Sequence, residues 1–246
     1  MTLGDVVAEE HRLDFREALD RVRGEVLRLG ALAAETVARG TDALLSRDLE
    51  AAQMLIDADD EIDDLSVRIE EDCYRLLALQ NPVAGDLRFI VCSIRMSSEL
   101  ERSADLMVNV CKAARRLYDI DLDPPLRGLI EAMGREAHTL THKAMDAYAD
   151  ADAALGAALD DMDNRLDDLQ VDYVEAIFET HQAESVELRA AVQLAMVGRY
   201  YERIGDHAVN MGERVRYMVT GWLPGHAGAA RMDLRRRKTD GWVGGS

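Results

Sequence analysis

Between Pro125 and Pro224 the chain runs almost a hundred residues without a proline. That interval is rich in Ala, Leu, Glu, Asp and Met, most of them good helix formers, and shows no strand-like alternation. The two other prolines, Pro82 and Pro124, mark turns. Such a chain folds as long helices. Apolar periodicity places six: about Phe15 to Ser46, Leu49 to Leu79, Asp86 to Tyr118, Leu126 to Ala149, Ala153 to Thr180, and Ser185 to Val219. The turn Gln80-Asn81-Pro82-Val83-Ala84-Gly85 separates the second from the third, and a Pro-Pro linker at Asp121 to Pro125 separates the third from the fourth.

Three helices, a linker and three more predict an internal duplication. Gly30, Asp48, Asp59, Asp63, Asp64 and Leu65 recur as Gly134, Asp152, Asp163, Asp167, Asp168 and Leu169, at a constant offset. In the third helix of each half, Leu87-Arg88 recurs as Leu188-Arg189 and Glu101-Arg102 as Glu202-Arg203. Asp105, Val108 and Asn109 recur as Asp206, Val209 and Asn210. The expected fold is all-α, two tandem three-helix bundles, with the first repeat over residues 11–121 and the second over 126–221. Residues 226–246 hold five Lys and Arg against two Asp and are expected to form a mobile basic tail.

The chain has 246 residues and a formal charge of −18, so the remainder carries −21. This balance argues against general nucleic-acid binding, which needs cations to neutralise phosphates. No apolar run approaches the ~18 residues of a membrane span, and Met1 to Arg12 lacks the apolar stretch of a signal peptide. Cys73, Cys92 and Cys111 are odd in number and lack CxxC spacing, as expected of buried, reduced thiols in a cytoplasmic protein.

In the sixth helix, at roughly 100° per residue, Glu202, Asp206, Asn210 and Glu213 fall within about 80° of one another. They form one stripe of oxygen donors opposite the apolar positions Val197, Tyr200, Ile204, Ala208, Met211 and Val215, and the stripe is expected at the surface. Asp163 and Asp167, one turn apart on the fifth helix, could join it. The first half repeats the pattern with Asp59, Asp63, Glu101, Asp105 and Asn109, but Lys112 stands where Glu213 does. Such a stripe can be a solvated face paired with arginines such as Arg102 and Arg203. Carboxylates crowded at i, i+4 repel, however, and crowding without matched bases calls for a cation. An all-oxygen set suits hard ions such as Mg²⁺, Ca²⁺, Mn²⁺ or iron. His207 reads as a packing or capping residue. The absence of Glu-x-x-His argues against a di-iron carboxylate bundle, and no phosphate-binding loop or nucleophile motif is legible.

At these residues the sequence resembles the PhoU family, regulators of bacterial phosphate uptake. The resemblance is carried by Glu101-Arg-Ser-Ala-Asp105, by Glu202-Arg-Ile-Gly-Asp206 with Asn210 and Glu213 following, and by the turn Leu76 to Arg88. It implies multinuclear metal clusters on the repeated carboxylates, of Mg, Mn or Fe, or Zn by family variation. It also implies a non-enzymatic repressor of the phosphate-starvation response. The implied partners are the ATPase subunit of the phosphate ABC transporter and a membrane sensor histidine kinase, with homodimers common. Ser103-Ala104 stands where the family has Ile-Gly, and Lys112 could neutralise one ligand position of the first half, so the second-half site is expected to bind metal more tightly. Two other readings stay open: a metal-dependent phosphate-ester hydrolase and a plain helical scaffold.

Overall fold

A computed structural model describes residues 3–182 and 186–222, with side chains from residue 13 onward. The basic tail lies outside the described residues. Among the described residues seven helices follow in order: α1 (Leu3–Ser46), α2 (Leu49–Asp57), α3 (Asp59–Gln80), α4 (Ala84–Arg116), α5 (Pro124–Ala149), α6 (Ala153–Gln182) and α7 (Leu188–Thr220). No strand occurs among the described residues. The all-α expectation holds, with one difference. The second expected helix is broken at Ala58, where Glu61 N bonds Ala58 O at 3.2 Å and the helix restarts at Asp59.

The spacing of buried residues explains the bundle. Along α5, Leu126, Ile130, Met133, Ala137, Leu140 and Ala144 are all buried; along α7, Leu194, Val197, Tyr201, Ile204, Ala208, Met211 and Val215 are. Each set steps by three or four residues and gives one apolar stripe per helix. In the first half α1 and α3 pack on α4; in the second, α5, α6 and α7 pack on one another. The halves join through α4 against α7 and α1 against α5, so one continuous core runs through both. Buried polar pairs register the halves. Thr41 Oγ1 and Tyr201 Oη are hydrogen-bonded at 2.8 Å, as are Ser93 Oγ and Tyr148 Oη. A hydroxyl left unpaired in such a place would cost about 1–3 kcal/mol.

The repeated residues have physical jobs. Asp48 caps α2 by accepting from Ala51 N, and its counterpart Asp152 accepts from Ala154 N and Leu155 N. The residues before these caps, Arg47 and Ala151, both take positive φ, 60° and 50°. Gly30 and Gly134 lie where α1 and α5 cross. A Cβ on Gly30 would fall 2.6 Å from Met145, and one on Gly134 2.5 Å from Thr41. Met145 and Thr41 are themselves counterparts, so the duplication has become an approximate two-fold axis in space. The cysteines are buried and free, and burial pushes the Cys73 and Cys92 thiols up to about 12.

Candidate metal centre

Helices α6 and α7 run antiparallel, with Gly156 against Gly212 and Gly198 against the ring of Tyr173. This brings Asp163 and Asp167 of α6 beside Glu202 and Asp206 of α7. Asp163 occupies a core register, between Leu159 and Leu166, both fully buried, and is itself only 8% exposed. Its Oδ1 is buried and has no hydrogen-bond partner. The space for that oxygen exists because residue 205 is glycine: a Cβ there would lie 2.2 Å from it. Burial, then the charges of Asp167 and Asp206, push the Asp163 carboxyl up to about 7. Asp167 and Asp206 are also raised, by burial and then by Glu202.

These groups open onto a recess of about 650 Å³ lined by Asp160, Asp161, Asp163 and Asp167 of α6, and by Arg203, Asp206 and Asn210 among others of α7. Glu202 is ion-paired with Arg199, not with Arg203. Asn210 also reaches Glu99 of α4 and favours its charged form. Glu213 is half-buried on α7 and is not part of the recess lining. The expected surface position holds for Asp206 and partly for Glu202, while Asp163 is sunk beneath it.

The first half gathers Asp59, Asp63, Glu101 and Asp105. Burial, then Asp105 and Asp63, raise Asp59 to about 6, while Lys112 pulls it down. Asp63 and Glu101 are raised by burial and then by Asp105. Asn109 is half-buried one turn beyond Asp105. Asp59 opens α3 directly after the break at Ala58, and Ala104, fully buried, takes the place of Gly205.

His207 lies between the two signatures and packs, as expected. Its Nδ1 is 3.1 Å from Ser103 Oγ, and its Nε2 is 4.0 Å from Glu99 Oε2. Burial, then Arg203 and Arg102, push its pKa down to about 4, so the neutral ring forms no ion pair with Glu99. Ser103, which stands where the second repeat has Ile204, is the partner that this histidine uses.

Among the described residues no group of three or more His, Cys, Asp or Glu side chains is arranged so that it could hold a metal ion as it stands. The carboxylates instead line an open recess, with raised pKa values and one orphaned buried oxygen. Asp163 Oδ1, buried beside repelling carboxylates and without a donor, is the oxygen of this group whose chemistry fits a hard cation. Sequence reading missed the reason for Gly205, and the part of Asp160 and Asp161. The signal was present in the series Leu159, Asp163, Leu166, an aspartate in a core slot, repeated as Leu55, Asp59, Ile62.

A model of the PhoU domain matches residues 26–114 and 130–215, one stretch in each half. The chain belongs to the PhoU family. Two relatives from Mycobacterium tuberculosis, named phosphate-specific transport system accessory protein PhoU homolog 1 and homolog 2, are 33% and 35% identical over 214 residues. That is 87% of this chain, and 96% and 100% of theirs. The crystal structure of PhoU from Pseudomonas aeruginosa superposes with a TM-score of 0.80 at 29% identity, over 85% of this chain and all of that one. The phosphate transport system regulatory protein PhoU from Streptococcus pneumoniae gives 0.79 at 28%, over 85% of this chain and 98% of its own. Among the described residues no helix is long and apolar enough to cross a membrane.

Proposed function

We propose that this chain is a non-enzymatic, cytoplasmic regulator of inorganic phosphate uptake and phosphate-starvation signalling. It holds hard metal ions on its two carboxylate clusters and couples the phosphate ABC transporter, through the ATPase subunit, to a sensor histidine kinase, as a homodimer. Support comes from family membership along both repeats and from relatives named as accessory proteins of phosphate-specific transport. The observation that carries the metal reading is Asp163, whose buried oxygen has no donor and whose seat depends on Gly205. Bound cations would supply the positive charge that these carboxylates lack. Asp163, Asp167, Glu202, Asp206, Asn210 and Glu213 would hold them in the second half; Asp59, Asp63, Glu101, Asp105 and Asn109 would do so in the first. The protein's part is to keep the acids adjacent, with Asp163 fixed from below by the core and Asp206 presented above.

A pull-down with the transporter ATPase and the sensor kinase tests the regulatory role. Both partners should be retained by the native chain, and retention should fall with Asp206→Ala. Retention of neither partner contradicts the reading. Metal analysis of the purified protein separates it from a plain scaffold, which would carry no ion. Turnover of a phosphate ester in added Mn²⁺ or Mg²⁺ would favour the hydrolase reading instead.

A further inference from the structure

The carboxylate stripe does not end where the carboxylates do. On α6, Asp163 and Asp167 are followed along the same face, within about 80° on a 3.6-residue helix, by Val171, Val174 and Phe178. On α7 the face of Glu202 and Asp206 runs back through Arg199 to Val192 and Leu188. The antiparallel register set by Gly198 against Tyr173 brings Phe178 level with Val192. Phe178 is 62% exposed, Val171 61%, Leu188 65% and Val192 52%. Large apolar side chains this exposed and this contiguous mark an interaction surface. The duplication repeats the strip: Val67, Tyr74 and Leu87 are the exposed counterparts of Val171, Phe178 and Leu188.

Charge decides the occupant of the second-half strip. Its α6 flank carries the exposed acids Asp168, Asp172, Glu175 and Glu179, none of them assigned to the metal sites. Of the nearby cations, Arg199 is tied to Glu202, and Arg189 faces a separate hollow with Arg116 and Asp119. A second copy meeting this face across a two-fold axis would set acid against acid. An anionic membrane would be repelled in the same way. We propose that the outer face of the α6/α7 hairpin, from Leu188 to Asp206, docks a basic amphipathic helix of a partner protein, its apolar ridge on the strip and its Lys or Arg toward the acids. From Phe178 to the exposed Asp167 is eleven residues of helix, roughly 16 Å, so the docked helix spans about three turns. This deepens the regulatory reading by giving the partner's chemistry.

The test uses the full chain and two labelled synthetic helices of ~18 residues, about five turns, one of Leu and Lys and one of Leu and Glu, read by fluorescence anisotropy. The Leu/Lys helix should bind and the Leu/Glu helix should not. The double variant Phe178→Ser/Val192→Ser, all surface positions, should keep its helical circular dichroism and lose affinity by about tenfold or more, as for central interface anchors. Equal binding of both helices, or an unchanged affinity of the double variant, overturns the proposal. So does a native dimer that sediments as a monomer in that variant, since a second copy would then own the strip. The peptide assay reads the surface alone. Its failure leaves the regulatory role standing, and a failed pull-down leaves the surface standing.

Discussion

The carboxylates of the second half rest against a glycine, and those of the first half have an alanine at the matching place. Around Gly205, Asp163 sinks into the core register, keeps Oδ1 buried without a hydrogen-bond partner and is pushed up to about 7. Around Ala104, Asp59 stays half-exposed at the start of a helix, is raised only to about 6, and has Lys112 near enough to lower it. Both halves present a Glu and two or more Asp on the same two helices. One has a counter-charge of its own close to its most buried carboxylate; the other leaves that carboxylate without one. The difference teaches that the acidic signature alone does not set cation demand. That signature also leaves open how deeply each carboxylate lies, and at Asp163 that depth needs the space Gly205 leaves for Oδ1.

The largest effect should come from supplying that methyl. Gly205→Ala puts a Cβ against Asp163 Oδ1 and Leu166, and is expected to destabilise the fold by about 1–3 kcal/mol, as overpacking does. It should also weaken metal binding in the second half only. The reverse change, Ala104→Gly, should cost about 1 kcal/mol of helix propensity. Thermal melting of both variants checks this, and an unperturbed Gly205→Ala would break the distinction between the halves.

Next comes pH. The Asp163 carboxyl releases its proton near 3.8 when unfolded and near about 7 when folded. Between these values the folded chain binds more protons, so stability of the chelated protein falls as pH rises from about 4 to about 7 and levels off above. Asp59 acts the same way over a narrower window, to about 6. Denaturant midpoints across this range should flatten more in Asp163→Asn than in Asp59→Asn. Equal flattening would remove the burial difference.

The smallest change sharpens the comparison from the other side. Lys112→Glu restores the acid found at Glu213 and deletes a cation near Asp59. It should tighten Mn²⁺ binding in the first half about two- to five-fold, the scale of one surface charge. The measurement is titration in an Asp206→Ala background, where the first-half site is read by itself.

Much of this was legible in the sequence because it rests on period and repetition. The proline-free run dictated helices and the offset pairs dictated two bundles, whereas the capping by Asp48 and Asp152 shows only in the fold. The break at Ala58 was not legible, because neither Ala58 nor Asp59 is a residue that forbids a continuous helix. The recess was half legible. The wheel placed Glu202 and Asp206 outward, but the depth of Asp163 depends on how closely α6 approaches α7, which a single helix cannot express. Ser103 looked like a defect in a signature, and its role appears only once α4 lies against His207.

Calorimetric titration of the chelated protein with Mn²⁺ tests the central claim most directly, comparing the native chain with Asp206→Ala and Asp105→Ala. The account predicts two classes of site, with Asp206→Ala abolishing the tighter class and Asp105→Ala removing only the weaker one. Equal losses from the two variants, or no heat of binding in the native chain, would contradict it.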